Sequence, residues 1–348
     1  MTAALVKLST IPQKFATIPR LSRRARAVVL TVHVAMSVGW LGLDAALVAL
    51  EATGLSAANP AVPVGIATAT AMIACWVLIP VVFFSLLSGL ALALATPWGL
   101  LRYWWVLAKC GIAMVLSATG LLYLVPRLPE IFAGGGEPVE MQTLIARSVA
   151  LMLLLAATGI SVVKPWGKTP RGRQRPVKFF TVPRLSRRVR AVVLTVHVAT
   201  SIGWLGLDGA LVALEVTGMF TVNPAVPVGI ATATAMIACW MLIPVVFFSL
   251  GSGLALALST PSDLARYYWW VLARCGIAMA LAAAGLLYLV PRLSEIFVGG
   301  GEPVEMQTLI ARSVALMLLL AATGISVVKP WGGARWIPES LLHPVQQK

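Results

Sequence analysis

The chain has 348 residues, 59% of them hydrophobic and only 11% charged, with a mean hydropathy of +0.91. Soluble domains carry roughly a quarter charged residues, so a water-facing globule is excluded and lipid is the solvent for most of this surface. A net charge of +15 would raise the question of nucleic acid in a soluble protein. Here the basic residues gather at the ends of apolar runs, where membrane topology explains them.

In chain order, a basic segment, 1–26, holds Pro12 and Pro19 and precedes an apolar run too long for a cleavable signal core. Four apolar spans follow, about 27–50, 64–94, 103–126 and 143–163. Each reaches the ~20 residues that cross a bilayer as a helix, and none shows the alternation of a barrel strand. The stretches SAANPAVP, ATPWG, VPRLPE and GGGEP supply the breaks. Pro80, midway along the second span, predicts a kink. A Pro/Arg-rich linker, 165–190, leads to four more spans, about 191–214, 228–258, 268–291 and 308–328, with Pro244 in the place of Pro80. A tail, 330–348, closes the chain.

The second set of spans copies the first. KFATIPRLSRRARAVVLTVHVAMSVGWLGLD (14–44) returns as KFFTVPRLSRRVRAVVLTVHVATSIGWLGLD (178–208) at an offset of 164, which becomes 165 after one inserted residue near the third span. The expected organisation is an all-α polytopic membrane protein: eight transmembrane helices in two parallel-repeat four-helix bundles, 27–164 and 191–329. Of the 27 Lys and Arg residues, 21 fall on one side, and the opposite loops carry only Arg127 and Arg292 beside Glu137, Glu140, Glu302 and Glu305. The positive-inside rule then predicts cytoplasmic termini and linker, in a bacterial inner membrane. Trp98, Trp104, Trp105 and Trp166 fall where an aromatic belt belongs. The linker's charge suits anionic lipid headgroups and calls for no nucleic-acid partner; oligomerisation is left open.

Ionisable groups persist inside this apolar frame. In LTVHVAMSVGWLGLDAALVALE (30–51), His33, Ser37, Trp40, Asp44 and Glu51 fall within about 40° of one line at 100° per residue. Glu51 is read as lying at the outer mouth. His33 and Asp44 lie deeper, where an ionised side chain costs at least ~2.5 kcal/mol, so the seam should face the bundle interior. Matching depths from the helix ends pairs Asp44 with Arg147 and Asp208 with Arg312 as buried ion pairs. The same reasoning sets Lys109 beside His33 and Arg274 beside His197. These four form a candidate cofactor site, because an imidazole that ligates or moves protons beside a cation suits a haem, a quinone or a small anion. The plain alternatives are a lysine that reaches for the headgroups and a neutral imidazole bonded to Ser37 or a helix carbonyl. Bis-histidine ligation would require His33 and His197 to meet across the pseudo-twofold axis.

Other chemistry is thinly represented. The cysteines, Cys75, Cys110, Cys239 and Cys275, fall inside apolar segments and read as reduced core residues. Met72 with Cys75, and Cys110 with Met114, have the softness for Cu(I), but Met and Cys at helical spacing are more often core packing, and they are read as that. No zinc spacing, phosphate-cradling loop or nucleophile–His–Asp arrangement is present, so no catalytic residue is assigned. Ser85, Ser88 and Gly89, like Gly111 and Ala113, read as small residues for close helix packing.

The segments HVAMSVGWLG, TPWGLLRYWWVLAK and SVVKPWG resemble a family of short, uncharacterised four-helix membrane proteins of actinobacteria. These look distantly like the membrane domain of copper-resistance D-type proteins. The resemblance covers nearly the whole chain twice, and carries over His33/His197, Trp40/Trp204 and Lys109 as motif positions; Arg274 stands at the last position in the second copy. It implies four helices per unit and a bacterial plasma membrane, and no activity. Function is accordingly expected to be binding of a small ligand or redox cofactor around His33 and His197. The alternatives are transport of a small solute or ion, and a non-catalytic scaffold or assembly role.

Overall fold

The computed structural model describes residues 21–95, 103–132, 136, 139–164, 186–258, 269–292 and 305–328. The basic N-terminal segment up to residue 20, most of the linker, the tail, Trp98, Trp166, Glu137 and Glu302 lie outside them. Among the described residues the chain is helical and contains no strand. The helices are α1 (Arg23–Ser56), α2 (Ala61–Ile73), α3 (Ile79–Ala95), α4 (Trp104–Leu124), a short α5 (Leu128–Phe132) and α6 (Met141–Val163). Then come α7 (Arg187–Phe220), α8 (Ala225–Ile237), α9 (Ile243–Leu258), α10 (Trp269–Leu289) and α11 (Met306–Val328). Among the described residues, seven helical segments are long and apolar enough to cross a membrane, and Ala273–Leu289 is a shorter apolar helix. Their outer faces carry large apolar side chains, such as Trp76 at 68%, Leu122 at 79% and Leu287 at 78% exposed. Water would not stabilise that surface, whereas acyl chains match it. The protein is therefore a membrane protein.

Local chemistry sets the helix ends. Ser22 and Ser186 cap α1 and α7 by accepting from Ala25 N and Val189 N, each at 3.2 Å. Asn59 turns the chain into α2, its side chain accepting from Ala61 N at 2.9 Å. Pro80 and Pro244 act one turn earlier than a simple kink. The preceding segments, Ala74–Leu78 and Ala238–Leu242, are π-helical, and the Ile79 N–H reaches Ala74 O. A proline has no N–H for the carbonyl four residues back and its ring crowds that carbonyl; the wider π turn relieves both.

The core lies where the two copies meet. Leu43, Leu47, Leu50, Ile66 and Ile73 pack with Leu207, Leu211, Leu214, Ile230 and Ile237, all fully buried or nearly so. Glycines bring the backbones together. A Cβ on Gly42 would collide with Gly203 O, and one on Gly206 with Gly39 O; a Cβ on Gly65 would lie 2.8 Å from Gly229 Cα. Gly111, expected to serve close packing, instead has open space beside it. α3 and α6 pack on α1, and α9 and α11 on α7. The C-terminal part of α6 meets the start of α7 at Gly159 and Thr195, and Gly324 of α11 meets Thr31 of α1 in the same way.

Candidate functional site

α1 and α7 each show two working faces about a third of a turn apart. The leucine and glycine face makes the interface between copies. The histidine and aspartate face turns toward its own α3, α4 and α6, or α9, α10 and α11.

At the end of the bundle nearer the α1 N-terminus, His33 reaches across to α3. Its Nδ1 lies 3.1 Å from Ser85 O and 3.2 Å from Ser88 Oγ. A carbonyl only accepts, so Nδ1 carries the proton and Nε2 is left as the acceptor. Lys109 Nζ donates to that Nε2 at 3.2 Å. The copy repeats the set: His197 Nδ1 is 3.2 Å from both Ser249 O and Ser252 Oγ, and Arg274 Nη2 donates to Nε2 at 2.9 Å. Arg274 adds a bond to Ser326 Oγ at 3.4 Å. Gly89 and Gly253 make room for the rings, since a Cβ at either would sit 2.9 or 3.1 Å from the imidazole Cε1. Sequence reasoning paired His33 with Lys109 by depth but took Ser85, Ser88 and Gly89 for packing alone. Their spacing on α3 at the depth of His33 was the available signal.

The site brings each histidine together with the cation of its own copy. Both ring nitrogens are engaged there, so neither is directed to the other histidine. Lys109 turns to the imidazole instead of to the bundle end. Among the described residues no group of three or more His, Cys, Asp or Glu could hold a metal ion. Met114 and Met279 are 60% and 58% exposed and face outward, away from any shared soft-ligand site with the core.

At the far end each arginine takes a second acid beside the aspartate expected for it. Arg147 Nε pairs with Glu51 Oε1 and Arg312 Nε with Glu215 Oε1, each at 3.5 Å, while each guanidinium also acts electrostatically on Asp44 or Asp208. Glu51, expected at the mouth, is 0% exposed. Thr143 donates to its other oxygen at 3.1 Å, and Thr308 does the same for Glu215 at 3.2 Å. Axial rise explains the choice. Arg147 lies six residues into α6 and Glu51 five residues from the end of α1, so both are about 8 Å from that end of the bundle, whereas Asp44 is about 18 Å from it. The first turn of α6 also favours a carboxylate. Asp44 and Asp208 are each 4% exposed, and their Oδ2 atoms have no hydrogen-bond partner among the described residues. Trp40 and Trp204, one turn before them, are buried at 6%.

No family model, curated protein or solved structure matches the chain.

Proposed function

We propose that this chain is a bacterial plasma-membrane protein of eight spans, with cytoplasmic termini and two four-helix units running in the same direction. Each unit binds a small ligand at its histidine–cation pair. The near-identical sequence halves, the 21 residues of α10 and the basic bias of one set of ends support the architecture, as does the likeness of each half to four-helix actinobacterial proteins. The basic linker lies along anionic headgroups in this reading.

One observation carries the ligand reading. Lys109 and Arg274 project into the bundle and donate to an imidazole nitrogen, a neutral acceptor, and among the described residues neither has a carboxylate partner. A cation in that position attracts an acceptor oxygen: the carboxylate or phosphate of a small anion, or the carbonyl of a quinone. The residues do not fit a haem. The nitrogen that iron would take faces a cation, and the other is held by Ser85 or Ser249.

The test is direct. Protein purified into nanodiscs should be colourless, should bind inorganic phosphate or acetate by calorimetry or release a quinone on solvent extraction, and should lose that ligand in the Lys109→Met/Arg274→Met double variant. Lys109→Arg should retain it, since Arg274 takes the same place beside His197 in the second half. A Soret band, or binding indifferent to the double substitution, overturns the reading.

A second reading, transport of a small solute or ion, rests on the seam from His33 through Ser37, Trp40 and Asp44 to Glu51 along α1. Proteoliposome flux should then fall in Asp44→Asn and His33→Ala, and unchanged flux in both removes it.

A further inference from the structure

We infer that the second half holds a separate cavity, at the far end of the bundle from the histidine, that takes a small lipophilic amine with Asp208 as its counter-charge. The cavity measures about 250 Å³ and lies between α7, α9, α10 and α11. Asp208 lines it with Trp204, Phe247, Gly285, Leu286 and Arg312. The volume is just below the roughly 300–1,000 Å³ of drug-sized ligand pockets, which suits one ring with a short chain.

The chemistry of the walls selects the ligand. Almost all of the lining is hydrocarbon, and the acid within it is 96% removed from solvent by its 4% exposure. Its Oδ2 has no hydrogen-bond partner among the described residues. Arg312 pairs with Glu215 and acts on Asp208 as well, so one guanidinium serves two buried carboxylates. An acid left short of a full counter-charge in such surroundings is relieved best by a further cationic donor. Trp204 and Phe247 add aromatic faces, which favour an ammonium over a neutral group. The route in is lateral. α9 and α10 touch only sparsely, and Phe247 and Leu286, at 62% and 39% exposed, form a rim open to the side of the bundle. A ligand with an apolar body and an amine head, dissolved in the bilayer, has the matching chemistry.

Phenethylammonium is a suitable probe and phenethyl alcohol its neutral counterpart, titrated calorimetrically against the full chain in nanodiscs. The ammonium should bind saturably and more tightly than the alcohol. Asp208→Asn should remove one equivalent of bound ammonium per chain or weaken it at least about tenfold, the scale of a charge-assisted hydrogen bond. Gly285→Leu keeps the acid and fills the cavity, since a Cβ there meets nothing within 4 Å; it should abolish the same equivalent, and it decides the matter if Asp208→Asn does not fold. No saturable binding by the native chain, equal affinity for the alcohol, or ammonium binding unchanged in either variant overturns the proposal.

Discussion

Arg147→Met should be among the most damaging single substitutions in this protein, lowering stability by about 3–5 kcal/mol. Glu51 is 0% exposed and the Arg147 side chain is only 14% exposed, so the pair is buried on both sides. Removing the guanidinium leaves a carboxylate in an apolar interior, and the loss is the desolvation of that charge more than the attraction between the two. The double variant Glu51→Gln/Arg147→Met should therefore recover much of the loss, because an amide carbonyl still accepts from Thr143 and carries no charge. Thermal unfolding of the purified variants in nanodiscs reads the cycle. A single-variant loss under ~1 kcal/mol, typical of exposed pairs, would show that water reaches Glu51. Arg312→Met should behave in the same way toward Glu215.

The second large effect is expected at the glycine crossing. Gly42→Ala adds one methyl group where Gly203 O already stands, with Gly206 Cα 2.9 Å away. Backbone cannot rotate aside as a side chain does, so α1 and α7 must separate, loosening Leu43, Leu47 and Leu50 from their partners. A cost of about 1–3 kcal/mol or more follows from overpacking of this kind. Alanine is the better helix former by about 1 kcal/mol, so the expected sign opposes local propensity. Gly111→Ala is the control: with nothing within 4 Å of a Cβ there, its melting temperature should hold or rise. Equal melting temperatures for the two variants would mean that the copies do not touch at Gly42.

Much of the site was legible before any coordinates. His33 and Lys109 fall at matched depth when residues are counted from the expected span starts, 27 and 103, and they meet. The same count, applied with the actual ends of α1 and α6, picks Glu51 for Arg147. Glu51 was passed over as a partner because the first span was taken to end near residue 50, when α1 continues to Ser56. That placed Glu51 at the mouth. Ser85, Ser88 and Gly89 were noticed without a role, since a small residue reads alike whether it meets a backbone, an imidazole or nothing.

The sequence by itself determined the helices. In hydrocarbon every backbone N–H and C=O must be satisfied within its own segment, so an apolar run is a helix whatever surrounds it, and capping serines, Asn59 and the prolines mark its limits locally. Which face of each rod meets protein was left to the tertiary structure. α1 is apolar on nearly every side, so hydropathy cannot separate the leucines that face α7 from those that face lipid. The crossing at Gly42 and Gly206 makes that choice. It also fixes which arginine reaches which acid, because an ion pair depends on axial offset and rotation between helices, and neither is a property of one strand of sequence.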